Sequence, residues 1–179
     1  DVYRGLEDVP RGTVRYLRVL EQVAKPWSAE VDTARGEDRA VDGFGGHLAV
    51  TWNAHIWIAV LHGVVPVAAD GSAHFQVPAN RNLFFQALDE DYMEVQRMRT
   101  FVNFLPGESR SCIGCHEHRT QAPAPRAAMA FAQPPAELAP QPGDAAPRPL
   151  SFPVDVQPIL DRRCVGCHNG QDPKAALDL

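Results

Sequence analysis

The sequence contains no apolar run that approaches the roughly 20 residues of a membrane-spanning helix. No secretory leader stands at its start, so we expect either a mature product or a piece cut from a longer chain. Basic residues are not in excess, and the formal net charge is -5. These absences predict a protein with no transmembrane segment and no nucleic-acid partner.

No cysteine stands outside a pair, because the cysteines form two C-x-x-C pairs with a histidine directly after each. The two motifs are Cys112-Ile-Gly-Cys115-His116 and Cys164-Val-Gly-Cys167-His168. Two thiols three positions apart on one helical turn can add to the two vinyl groups of a single haem, and the adjacent histidine then faces the iron. The motifs predict two covalently attached haem c groups, with His116 and His168 as proximal iron ligands.

Other uses of the cysteines are a four-cysteine zinc site, two redox dithiols, or disulfides. Zinc ribbons place their cysteine pairs about 15 to 20 residues apart, whereas Cys115 and Cys164 are much more widely separated. A redox dithiol does not require a following histidine. Haem attachment at such motifs takes place outside the cytoplasm in bacteria, so the haem interpretation predicts a periplasmic or extracellular location.

Short apolar runs separated by turn signals occupy residues 1–111 and predict β structure. The Asp70-Gly71 pair predicts a hairpin that joins residues 63–67 to residues 72–77. The frequent turns favour a small antiparallel sandwich. The other candidate strands are residues 13–23, 47–67, 82–88 and 93–102.

The fold class that we predict is α+β: a β-rich, sandwich-like domain, then short haem-binding helices and a small, incomplete cytochrome c-type helical segment. Ser111 is expected to cap the helical turn of the first motif. The last segment is expected to be incomplete because no Met or His follows His168 as a distal ligand. The predicted parts are a β-rich domain with the first motif at 1–120, a Pro/Ala-rich linker or strap at 121–149, and the start of a cytochrome c-like domain at 150–179.

The linker is either a flexible tether or a strap that Met129 and Phe131 anchor to the surface.

The distal iron ligands decide between electron transfer and catalysis, since a second strong ligand closes the iron to substrate. His62 continues the apolar face of its predicted strand and is the first candidate, although a core histidine without a ligand role fits the same pattern. His55 and His74 lie on more polar faces and are further candidates, with a solvated side chain as the alternative. His118 follows His116 too closely to reach the other side of the same haem, and it either reaches the second haem or lies in solvent.

Several phrases around the motifs resemble the haem-bearing part of the hydrazine synthase alpha subunit family. The resemblance implies a middle domain with one haem, followed by the opening of a C-terminal domain with the other. The phrases are DVYRGLE at 1–7, RGTVRYLR at 11–18, DGSAHF at 70–75, FQALDE at 85–90, PGE at 106–108, SCIGCHE at 111–117 and CVGCHNGQDPK at 164–174.

The sequence differs from this family at one expected iron ligand. In the family, a tyrosine four residues after the motif histidine binds the catalytic haem and frees that histidine for zinc. Thr120 occupies this position here. The resemblance therefore implies that His116 binds iron in the ordinary way.

Three functions remain open at this point. The first is a dihaem c-type cytochrome that transfers electrons to redox partner proteins or to neighbouring subunits of a multihaem complex. The alternative is a haem enzyme subunit, similar to hydrazine synthase, that acts on small nitrogen compounds at one open iron. The third is a structural subunit that repeats into a filament and aligns its haems.

Overall fold

The computed structural model describes residues 2–23, 58–114, 118, 120–121, 124 and 126–169. His55, Cys115 and His116 lie outside the described residues, so the predictions that involve them stay predictions. The chain divides into two compact units, Asp1–Arg148 and Pro149–Leu179.

A five-stranded sheet dominates the described part of the first unit, in the strand order β4-β3-β1-β2-β5. The central strand β1 is antiparallel to both β2 and β3, and β3 is antiparallel to β4. The predicted β-rich domain is confirmed, but the described residues form one sheet and contain no second layer of a sandwich. The strands are β1 (Tyr16–Val23), β2 (Ile58–Pro66), β3 (Leu83–Leu88), β4 (Glu94–Arg97) and β5 (Arg148–Pro149).

The core of this unit lies along the middle strands. In β1 the consecutive residues Val19, Leu20 and Glu21 are all buried. Side chains alternate between the two faces of a strand, so both faces of the sheet are covered at its centre. The other buried apolar residues are Leu61, Val64, Val65, Leu83, Ala87 and Leu88.

A β-bulge interrupts β2 at His62. Val19 pairs with Gly63 and Leu20 pairs with Leu61, which leaves His62 without a partner in the ladder. Gly63 has a φ of +144°, and a Cβ atom there would lie 2.5 Å from the carbonyl oxygen of Ala139. Only glycine fits this close approach, and the bulge turns the His62 side chain away from the regular alternation.

The Pro/Ala-rich segment pairs with the edge of β2. Val64 and Ala139 exchange two backbone hydrogen bonds of 2.8 and 3.0 Å. The hairpin prediction required residues 72–77 to pair with β2, and it is wrong on this point. Phe75 instead forms a parallel bridge with Ala136. The predicted turn at Asp70-Gly71 is present, but β1 occupies one edge of β2, and Ala139 and β5 occupy the other, so no edge is left for a hairpin partner.

Side chains from this turn also bind the Pro/Ala-rich segment. The Asp70 carboxylate accepts the first amide of the 3-10 helix Met129–Ala132 at 2.8 Å, and the Ser72 hydroxyl accepts the second at 3.0 Å. These bonds satisfy amide groups at a helix start that have no partner within the helix. The Pro/Ala-rich segment is thus bound to the rest of the first unit at several points.

The second unit begins with one π-helical turn, Phe152–Val156, which leads into the helix α1 (Gln157–Arg163). Neither element contains a buried residue. Pro158 occupies the first turn of α1, where the fixed φ of proline suits the start of a helix. Among the described residues, no helix has the length and apolar character needed to span a bilayer.

Candidate haem-attachment sites

The first motif begins in a loop that is not helical. Residues 111–114 lie outside any helix, so the predicted helical turn, with Ser111 as its cap, does not begin there. The Cys112 side chain is an exposed free thiol. Gly114 has a φ of +74°, a conformation that favours glycine.

A tight turn precedes this loop. Leu105 accepts the amide of Glu108 at 3.0 Å, and Pro106 and Gly107, with a φ of +73°, occupy the two central positions. Proline followed by a glycine with positive φ is typical of a type II turn. The Glu108 carboxylate closes the turn a second time, because its Oε2 accepts the Leu105 amide at 2.7 Å.

The same carboxylate also binds the arginine closest to the motif. Oε1 of Glu108 accepts Nε of Arg110 at 2.9 Å and also Nη2. The guanidinium carbon lies 5.2 Å from the centre of the Phe104 ring, a cation–π distance. The Leu105 amide, and secondarily Arg110, hold the pKa of Glu108 below its ordinary value, which favours the charged form.

The second motif forms a helical turn directly after α1. The carbonyl oxygen of Cys164 accepts the amides of Cys167 and His168, each at 3.0 Å. Residues three apart on such a turn lie on the same side, so the two thiols face one region of space. The position of a Cβ atom on Gly166 has no heavy atom within 4 Å.

Cys164 and Cys167 carry free thiols, and Cys167 is exposed. Large apolar side chains of the same unit are exposed as well. They are Leu150, Phe152, Val154, Val156 and Ile159. Exposed apolar surface of this kind, where it is contiguous, is typical of a site that a hydrophobic partner covers.

His62, the first candidate for a distal ligand, is bound to a buried carboxylate. Its Nε2 lies 2.8 Å from Oε2 of Glu21, and only 14% of the His62 side chain is exposed. Arg81 donates to the other oxygen of Glu21 at 3.3 Å. Because an ionised carboxylate only accepts, Nε2 carries the proton. Its role as an iron ligand stays a prediction.

His74, the second described candidate, is engaged by the Pro/Ala-rich segment. Its Nδ1 donates to the carbonyl oxygen of Gln133 at 3.2 Å, and its ring centre lies 4.7 Å from that of Phe131. After the first motif, Nδ1 of His118 lies 2.7 Å from the Thr120 hydroxyl. The rings of His74 and His118 thus each have a hydrogen-bonding partner within the protein.

Sequence reasoning missed Glu21, Glu108 and Arg110. Glu21 is a carboxylate among apolar residues of a predicted strand, which is a signal for a buried ion pair, but its partner His62 is distant in sequence. Glu108 and Arg110 stand two residues apart just before the motif. An acidic and a basic residue at this spacing are the signal from which their ion pair could have been predicted. Among the described residues, no three His, Cys, Asp or Glu side chains lie close enough together to hold a metal ion.

A model of the hydrazine synthase alpha subunit middle domain matches residues 12–117, which is more than half of the chain. The match includes the whole of the described sheet except β5 and extends through the first motif. Comparisons with curated proteins and with solved structures give no match.

Proposed function

The chain belongs to the hydrazine synthase alpha subunit middle-domain family, and on that premise we propose that it is a haem-bearing part of a redox enzyme that acts on small nitrogen compounds. The observation that carries the proposal is the family match across residues 12–117, which includes the first C-x-x-C-H motif. The match favours the hydrazine synthase-like alternative over the electron-transfer function that the motifs alone suggested first.

The cofactors in this proposal are two haem c groups, one at each motif. Each thiol adds across one vinyl group, so the S–H bond and the vinyl double bond are replaced by a thioether. The second motif supports the proposal, because Cys164 and Cys167 lie on one turn and carry free thiols. Bound haem supplies one-electron redox chemistry, and its potential depends on axial ligands, burial and nearby charge.

The residues around the second motif suit a large apolar cofactor. Phe152, Val154 and Ile159 are exposed by 57%, 68% and 51%, and a macrocycle would cover such surface with a favourable hydrophobic contribution. Gly166 leaves its own side of the turn open for close approach. His168 follows Cys167 directly and would provide the proximal ligand.

An open coordination position is the second element of the proposal. In each of the described candidates His62 and His74, one ring nitrogen is already bound, to Glu21 and to the Gln133 carbonyl group, so that only the other nitrogen of each ring is left to bind iron. An iron that receives neither ring keeps a position for a small ligand. His55, the third candidate, lies outside the described residues.

Electron transfer is the second candidate function, and one observation favours it. The tyrosine that the family resemblance implies is replaced by Thr120, whose hydroxyl is engaged with His118 at 2.7 Å. Without the tyrosine, His116 would bind iron as in ordinary cytochromes. The chain would then pass electrons to redox proteins or to neighbouring subunits, from a periplasmic or extracellular location.

The test is electron paramagnetic resonance of the oxidised chain, with nitric oxide and hydroxylamine as probes. We expect one high-spin signal that nitric oxide converts, and one low-spin signal that it leaves unchanged. A variant with Cys112→Ser and Cys115→Ser assigns each signal to its motif. Two low-spin signals that neither probe alters would overturn the enzyme proposal and favour electron transfer, whereas absence of attached haem would overturn both.

A further inference from the structure

The loop from residue 102 to residue 110 has neither helix nor strand, but hydrogen bonds hold it in place along its length. Val102 exchanges two backbone hydrogen bonds with Leu83 at the start of β3, and Phe104 accepts the Asn80 amide at 2.8 Å. These bonds fix the chain where it leaves the sheet. Farther along the loop, the Leu105 carbonyl group accepts the Glu108 amide, and the Glu108 carboxylate makes the remaining bonds.

Glu108 joins the parts of this loop. One oxygen accepts the Leu105 amide and the other accepts the Arg110 guanidinium, which in turn packs on Phe104. We name these four residues the brace. The lowered pKa of Glu108 keeps the carboxylate charged, and charge-assisted hydrogen bonds are stronger than neutral ones.

The brace ends two residues before Cys112. Two residues span at most about 7 Å of chain, so the position of Arg110 restricts where the first thiol can lie. Attachment of a haem through two thiols and one histidine requires accurate placement, and sites on loops are less accurate than sites on helices or strands unless other bonds support them. The exposed, non-helical residues 111–114 cannot supply that support themselves.

We propose that Glu108 and Arg110 are positioning residues for the haem of the first motif. The proposal rests on the proposed function, because it requires a haem at that motif. Glu108 fixes the direction in which the chain enters the motif, and Arg110 holds Glu108 in place through its planar fork. Neither residue touches the iron in this proposal.

Charge and position predict different patterns of change, so the two effects can be separated. Glu108→Gln removes a negative charge and Arg110→Gln removes a positive one, so a pure charge effect moves the midpoint potential of the first haem in opposite directions. Loss of the brace instead makes the haem environment heterogeneous in both variants. Arg110→Lys keeps the charge but loses the fork.

The experiment compares these three variants and the double variant E108Q/R110Q with the wild-type chain. The readouts are haem attached at the first motif, the width of its paramagnetic resonance signal and its midpoint potential. We expect broader signals and partial loss of attached haem in all four variants, with the double variant no worse than either single one, because they disrupt one unit. Arg110→Lys is expected to keep a potential close to that of the wild type.

The matched control is Arg97→Gln, which breaks an exposed pair with Glu94 on β4 at 3.3 Å and should leave the first haem unchanged. Opposite potential shifts with wild-type signal widths and haem content would overturn the proposal in favour of charge alone. Equal effects in R97Q would also overturn it.

If one variant does not fold, the other single variants still test the proposal. A wild-type chain without haem at the first motif would overturn the proposed function instead.

Discussion

In the sheet of the first unit, Val19, Leu83 and Leu88 have no exposed surface, whereas in the second unit Phe152, Val154 and Ile159 each expose about half of theirs or more. The two units use similar apolar residues but place them differently. Burial contributes about 25 cal/mol per Å² of apolar surface. The first unit therefore has its own source of stability, whereas the described residues of the second unit leave large apolar side chains exposed.

The difference also concerns polar groups. Glu21 and Gln86 are buried in the first unit, and both have hydrogen-bonding partners. In the second unit, Gln157 bonds Asp161 one turn later on the surface of α1. Such local bonds do not fix a helix against anything else. On the proposal that haem attaches at Cys164 and Cys167, we expect the macrocycle to stabilise the second unit.

The largest expected effect comes from removing that attachment. In Cys164→Ser/Cys167→Ser we expect attached haem to fall from two groups to one and amide protection across α1 to be lost, because its apolar surface loses its cover. Protection in β1 and β3 should not change. Hydrogen exchange read by mass spectrometry checks this, with Cys112→Ser/Cys115→Ser as the matched control. Retained protection across α1 without its haem would contradict the comparison.

The next effect tests the core of the first unit. Leu83→Ala removes a side chain with no exposed surface and should lower the free energy of unfolding by about 2–5 kcal/mol. Leu105→Ala, at a leucine that is 67% exposed, should change it by no more than about 0.5 kcal/mol. Denaturant unfolding followed by circular dichroism measures both. Similar losses in the two variants would mean that burial does not stabilise this unit.

Local patterns predicted much of the first unit. The short apolar runs at residues 13–23 and 82–88, which turn signals separate, predicted strands that the structure forms as β1 and β3. The Asp70-Gly71 turn was predicted from its chemistry, since glycine tolerates the φ of +83° found at Gly71. These features depend on neighbours in the sequence.

Features that depend on pairing across the chain were not predicted. The partner of residues 72–77 required knowledge that Ala139 occupies the edge of β2. The bulge at His62 follows from the register between β1 and β2, which alternation alone does not reveal. At the candidate sites, haem attachment was predicted from the spacing of the two motifs. The brace at Glu108 could not be predicted, because it depends on where side chains lie around a turn.

A smaller effect tests whether the buried ion pair contributes to the stability of the first unit. Glu21→Ala leaves His62 without its carboxylate in a buried position, and should cost about 1.5–3 kcal/mol, as for hydrogen bonds to charged groups. Arg81, whose side chain is 56% exposed, contributes less, so Arg81→Ala should cost at most about 1 kcal/mol. Chemical denaturation of both variants gives the two values. A larger loss in Arg81→Ala would contradict the burial seen at Glu21.

The smallest effect is local and depends on pH. The Met129 amide, followed by the Ser72 hydroxyl, lowers the pKa of Asp70 from its ordinary 3.8. A carboxyl group with a lower pKa when folded stabilises the fold above the unfolded value, and this contribution is lost as the pH falls through the folded value. Protection factors of the Met129 and Ala130 amides should therefore fall in acid. In Asp70→Asn they should be low at neutral pH and no longer respond to acid in this range, whereas Asp89→Asn, in a different turn, should leave them unchanged. If Asp70→Asn kept wild-type protection at neutral pH, the carboxylate would not be what holds the 3-10 helix to the first unit.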